Sequence, residues 1–160
     1  MNLKNTDCTL LVVDDNPDDV FLLKRALKAA AVENPLQVVA DGRAAVSYLN
    51  GEGPYANREK YPYPSLVFLD LKLPYLSGLK VLEWWRSQNS LPSTVIIVLS
   101  SSHEPADLTT AYRLGASSYL IKPPTTEELV SLATAIRAYW LQYNAFPRSP
   151  AATPAPSNAA

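Results

Sequence analysis

Five short apolar runs punctuate the chain: Leu10–Val13, Leu36–Val39, Leu66–Leu69, Val95–Leu99 and Ser118–Ile121. Most of their residues are β-branched or aliphatic, and each run is too short to be a helix. Between them the apolar positions fall at helical spacing. Val20, Leu23, Leu27 and Ala30 make one stripe, and Leu79, Val81, Leu82 and Trp85 make another. Gly42–Leu49, Pro105–Leu114 and Thr126–Tyr143 supply three further helical segments. Near-continuous apolar strands alternating with helices predict a parallel sheet covered on both faces. The expected architecture is therefore α/β, a five-stranded parallel sheet flanked by five helices.

Two segments break the alternation. Residues 50–64 form a long polar connection rich in proline and tyrosine, of the kind that is functional or mobile in compact domains. Residues 147–160 carry no core-forming side chains and are expected to be a disordered tail. With residues 1–8 as an N-terminal extension, 9–146 remain for one domain, and no internal repeat divides it.

Composition narrows the partners. Hydrophobic residues make up 48% and charged residues 18% of the 160, and the formal net charge is −1. No basic field favours nucleic acid or an anionic membrane. No apolar run reaches the roughly 18–20 residues that cross a bilayer, and the N-terminus lacks a secretory h-region. A single cysteine, Cys8, fits a reducing compartment, so a cytoplasmic location is expected. Cys8 and the lone His103 are too few for a Cys/His metal centre.

Candidate chemistry gathers where the strands end. In open α/β sheets ligands bind beyond the carboxyl ends of the strands. Those ends carry Asp14 and Asp15, then Asp70, then Ser100, then Lys122. Converging carboxylates attract a hard, oxygen-preferring cation such as Mg²⁺. A hydroxyl and an ammonium beside that cation suit a phosphoryl group, whose transfer depends mainly on positioning and charge neutralisation. A carboxylate can itself be the phosphoryl acceptor.

The set Asp14-Asp15, Asp70-Leu-Lys-Leu-Pro-Tyr-Leu-Ser-Gly78, Ser100 and Lys122-Pro123 resembles the receiver domain of two-component response regulators, over Leu10 to Tyr143. The resemblance implies a flavodoxin-like (β/α)5 fold and a role for each residue. Asp70 would accept a phosphoryl group from a sensor histidine kinase. Asp14, Asp15, Asp70 and the main-chain carbonyl of Lys72 would hold Mg²⁺. Lys122 and Ser100 would contact the phosphoryl oxygens, and Ser100 with Tyr119 would form the switch that responds to them. Lys122-Pro123 would be a candidate cis peptide. Ser100 stands where threonine is more usual, and Lys72 and Ser102 occupy positions that tune dephosphorylation. The 50–64 insert and the Arg137–Tyr143 end are similar to those of stand-alone regulators associated with phytochrome-type kinases.

Other residues have plainer expectations. Asn16 suits an N-cap and Pro17 the first helical position, so Asp18 and Asp19 face a helix dipole. His103 lies in a loop and is expected at the surface. Trp85 belongs to the apolar stripe of its helix and to the core, while Trp84 is partly exposed. The last helix carries Leu129, Leu132, Ala133, Ile136, Tyr139, Trp140 and Tyr143, a stripe wider than one sheet face needs. Leu129, Ile136, Tyr139, Trp140 and Tyr143 are therefore expected in a homodimer interface with the fourth helix and fifth strand. Two other classes remain open: an aspartyl-phosphate phosphohydrolase and a flavodoxin-like cofactor-binding protein. The first wants an acid two residues after the nucleophile, where Lys72 stands. The second wants a glycine-rich phosphate loop, where the chain has Asp14-Asp-Asn-Pro-Asp-Asp19.

Overall fold

The computed structural model describes residues 5–147. Beyond Pro147, the segment expected to be a disordered tail lies outside the described residues. Strands β1 (Leu10–Val13), β2 (Leu36–Val39), β3 (Leu66–Leu69), β4 (Val95–Ser100) and β5 (Ser118–Ile121) alternate with helices α1 (Pro17–Ala29), α2 (Gly42–Asn50), α3 (Gly78–Ser87), α4 (Pro105–Arg113) and α5 (Thr126–Ile136). All strand pairs are parallel, in the order β2-β1-β3-β4-β5. From β1 the chain steps outward one way to β2 and the other way to β3. The C-terminal ends of β1 and β3 thus flank the topological switch point, where a crevice opens.

Alternation along the strands sorts the core into two layers. Leu11, Val13, Val67, Leu69, Ile96 and Val98 pack against α2, α3 and α4. Leu10, Val12, Leu66, Phe68, Ile97 and Leu99 pack against α1 and α5. Burial on both faces is why the central strands β1, β3 and β4 read as unbroken apolar runs rather than as alternating ones. Val81 and Leu82 are the fully buried side chains of α3, and Trp85 packs against their core layer half-buried, its ring also lying against Gly115 in the α4–β5 turn. Trp84 is half-buried as well.

The 50–64 connection is packed against α2 and the core layer on that side of the sheet. It contains a 3-10 turn at Gly53–Tyr55 and is anchored by Arg58. The Arg58 guanidinium donates to the carbonyls of Tyr48 (2.7 Å) and Leu49 (2.9 Å) in the last turn of α2, and to that of Tyr61 (3.2 Å). Tyr48, Tyr55 and Tyr61 pack ring against ring, with centroids 5.1 to 6.1 Å apart. The buried Tyr48 hydroxyl donates to Pro62 at 2.8 Å, and burial pushes its pKa up to about 12.

The last helix changes winding. After Ile136 it continues as a π-helix over Arg137–Tyr143. The wider turn makes the next inward residue Leu141, five positions on from Ile136 and 6% exposed, in place of an α-spaced one. Tyr139 and Tyr143 are turned outward, 62% and 85% exposed. Asn5, from the expected N-terminal extension, donates to the Asn144 carbonyl at 2.6 Å and ties the start of the described chain to the end of this helix.

Candidate phosphoryl and metal site

Register places the acids. Val13 of β1 lies beside Leu69 of β3, so the next residues, Asp14 and Asp70, emerge side by side at the switch point. Their backbones stay tied to the sheet, Asp14 N–H on Val39 and Asp70 N–H on Val13. Both are 8% exposed, whereas Asp15 is exposed. One carboxylate oxygen from each of Asp14, Asp15 and Asp70 lies within 4.8 Å of the others.

Two close approaches shape the loop after β3. A Cβ on Gly78 would lie 2.2 Å from the Asp70 carbonyl oxygen, and one on Gly42 would lie 1.8 Å from that of Leu76. Only glycine lets the N-termini of α3 and α2 press this closely on the loop. Ser77 caps α3, accepting from Lys80 N–H at 3.3 Å, so Asp70 stands clear of the helix, in a loop of its own.

Lys122 enters from the opposite side. Its backbone N–H donates to the Ser100 carbonyl at 2.9 Å, joining the ends of β5 and β4. Its Nζ donates to Asp14 Oδ2 (2.9 Å), Asp70 Oδ2 (2.8 Å) and Asp19 Oδ2 (2.8 Å). Burial opposes the charge of Lys122, but the hydrogen bonds to Asp19, Asp70 and Asp14 outweigh it and hold its pKa above the usual lysine value. Burial raises the Asp14 pKa, and the bonds from Lys122 and Asn16 N–H offset only part of that rise. The peptide bond expected as a cis candidate, Lys122–Pro123, is trans, as are all others among the described residues. Trans is the preferred X–Pro state by roughly 0.5–1 kcal/mol, and the lysine reaches all three acids from it.

Ser100 is 1% exposed, and its Oγ accepts from Ser102 N–H at 3.3 Å. Ser102 Oγ is turned away, donating to Asp107 at 2.6 Å within the start of α4. Tyr119 points inward, 8% exposed, its hydroxyl donating to the Ser102 carbonyl at 3.0 Å and its N–H to the Tyr112 hydroxyl at 3.2 Å. Lys72 has an exposed side chain, while its N–H donates to Asp70 Oδ1 at 3.3 Å. His103 is exposed in the β4–α4 loop. Asp18 is exposed in the first turn of α1, as expected. Asp19 is not confined to the helix dipole: it joins the site through Lys122. Nothing in the local sequence distinguishes the two acids beyond their one-residue offset, which is a rotation of about 100° on a helix.

The profile of the response regulator receiver domain matches residues 10–134. The chain belongs to this family. As a receiver it is similar to response regulator Rcp1 of Synechocystis sp., 31% identical over 138 residues that cover 86% of this chain and 92% of the relative. The solved structure of the Mn²⁺-bound form of Rcp1 superposes with a TM-score of 0.79 at 30% identity, covering 88% of this chain and 99% of that one. A response regulator in red light signalling of R. palustris, RPA3017, superposes at 0.83 and 31% identity. The phosphorylated cyanobacterial phytochrome response regulator RcpA does so at 0.81 and 32%. These last two matches each cover 89% of this chain and 99% of the other. The receiver fold is thereby shown, as the resemblance implied, on the parallel α/β architecture that the alternation of apolar runs predicted.

The donor set fits a divalent metal ion. Three carboxylates converge, two of them buried, and their clustered negative charge is met here by one ammonium. Hard oxygen ligands of this kind select Mg²⁺, Mn²⁺ or Ca²⁺ over softer ions.

Proposed function

We propose that this receiver accepts a phosphoryl group on Asp70 from a sensor histidine kinase, with Mg²⁺ held by Asp14, Asp15, Asp70 and the main-chain carbonyl of Lys72. The observation that carries the reading is the convergence on one Nζ, that of Lys122, of the strand-end acids Asp14 and Asp70. An ammonium already bonded to Asp70 Oδ2 stands where it can follow new oxygens added to that carboxylate. Asp70 Oδ attacks phosphorus in line as the donor's P–N bond breaks, and the donor imidazole takes a proton as it leaves. The cation's contribution is to neutralise charge on the transferring oxygens. Lys122 then pairs with one phosphoryl oxygen and the Ser100 hydroxyl donates to another. The inward Tyr119 ring, bonded to the Ser102 carbonyl, carries that shift to the β4–α4 loop. Hydrolysis of the acyl phosphate by the receiver itself is slow, and the product is a signal rather than a metabolite.

The kinase we infer is phytochrome-type. The named context of RPA3017 and RcpA supports this reading, as does the packed insert before β3. We also propose a homodimer through α4, β5 and the last helix. Leu108, Tyr112, Ile121, Tyr139 and Tyr143 supply exposed apolar surface on those elements. Of the residues expected there, Ile136 is 5% exposed in its own core and has no surface to share, and Trp140 and Leu129 are half-buried against it.

The test is to incubate the protein with acetyl phosphate and Mg²⁺, or with fluoroberyllate, and follow intact mass and tryptophan fluorescence. We expect a metal-dependent gain of one phosphoryl group, lost in Asp70→Asn. An undiminished gain in that variant would refute the assignment.

A further inference from the structure

We propose that Asp19 is a positioning residue for Lys122, holding its ammonium beside the site when a divalent cation takes over Asp14 and Asp70. The inference rests on the phospho-acceptor reading above and deepens it.

Lys122 has three N–H donors, and all three are used, on Asp14, Asp70 and Asp19. Asp14 and Asp70 are also members of the carboxylate cluster; Asp19 is not. An entering cation therefore competes with the ammonium for two of its three partners and repels it as a like charge. Asp19 is the one acceptor that cation binding leaves in place. Its side chain is 37% exposed, against 9% for each of the other two, so it holds the lysine from the solvent side.

Local geometry frees Asp19 for this role. Asn16 is the N-cap, so Asp19 sits at the third helical position, where an acid ordinarily reaches back to the N-cap N–H. Here that N–H is taken by Asp14 Oδ1 at 2.9 Å. The Asp19 N–H is itself held by Asn16 Oδ1 at 3.3 Å, which orients the residue while leaving its carboxylate free. That carboxylate crosses to β5 and meets Lys122. Asp18, one residue earlier, is exposed and makes no bond to the lysine, so it serves as a control of equal charge.

Without Asp19 the ammonium has only Asp14 and Asp70. It then binds them more firmly at rest, and it is expelled when a cation displaces it. Both effects weaken cation binding. The experiment compares wild type, Asp19→Asn, Asp18→Asn and Asp19→Glu. Mg²⁺ affinity is measured by calorimetry and the Lys122 side-chain NH₃⁺ resonance by ¹H–¹⁵N NMR, with and without Mg²⁺. We expect Asp19→Asn to lose up to about tenfold in Mg²⁺ affinity beyond the effect of Asp18→Asn, the low end for outer-shell groups at metal sites. Its NH₃⁺ signal should vanish on Mg²⁺ addition while that of wild type persists, and Asp19→Glu should restore the signal in part. Equal affinities for the two Asn variants, with the NH₃⁺ signal retained in both, would overturn the positioning role. A wild type that shows neither Mg²⁺ binding nor phosphorylation by acetyl phosphate would instead overturn the phospho-acceptor reading.

Discussion

Arg58→Ala is the most informative single change outside the site, because one side chain converts the 50–64 connection from a loop into a packed element. The guanidinium makes three hydrogen bonds to carbonyls, those of Tyr48, Leu49 and Tyr61. It also lies 5.8 Å from the Tyr48 ring centroid and 5.7 Å from that of Tyr63. A hydrogen bond to a charged group contributes about 1.5–3 kcal/mol when buried. Arg58 is only half-buried, so water replaces part of each bond, and roughly 1 kcal/mol per bond is the better figure. Two partly exposed cation–π contacts add about 0.5 kcal/mol each. The expected loss is thus about 3–4 kcal/mol, or roughly 10 °C in Tm for a domain of this size. Arg58→Lys keeps the charge but has no planar fork to bridge the end of α2, and should recover less than half. Urea denaturation followed by circular dichroism reads the loss. Phosphorylation of Asp70 at low temperature should be unaffected, because the insert does not touch the site. A loss below about 1 kcal/mol would refute the view that Arg58 holds the insert in place.

Two further predictions follow from individual residues. Gly78→Ala puts a methyl where the Asp70 carbonyl oxygen lies, so we expect about 1–3 kcal/mol of destabilisation and slower phosphorylation, read by thermal melts and by intact mass against time. Stability should also fall between about pH 10 and 12 as Tyr48 is exposed on unfolding. Its unfolded pKa is near 10 and its folded value about 12, so the unfolded state releases the proton first and gains in that window. Below pH 10 the contribution is fully present. The loss reaches about 2–3 kcal/mol by pH 12, and Tyr48→Phe should abolish that component in pH-dependent urea titrations.

How legible the protein is in its sequence varies with the physics involved. All five strands and the start of α1 were readable, because short apolar runs and the Asn16 cap with Pro17 act through neighbouring residues. Asp14 and Asp70 were readable as a pair because parallel strands of equal length deliver their next residues to one edge.

What the sequence could not carry depends on distant partners. Whether Asp18 or Asp19 meets Lys122 is settled by the angle of α1 across a gap of 103 residues, and a local pattern sees only two acids in a first turn. The bond after Lys122 is trans although the lysine still reaches its acids, since reach depends on where β5 ends relative to β1 and β3. The last helix has an α-like apolar stripe, yet π-winding turns Leu141 inward and Tyr139 outward, a choice made by the surface against which the helix packs. The 50–64 insert looked like a loop because its anchor pairs Arg58 with carbonyls of α2, and backbone carbonyls leave no trace in a residue string. By itself the sequence determined the strand-and-helix order, the parallel α/β class and the strand-end acids, which are properties of local pattern and short-range chemistry. Only the tertiary structure decided which acids share the lysine, because Coulomb and hydrogen-bond partners are chosen by distance in space.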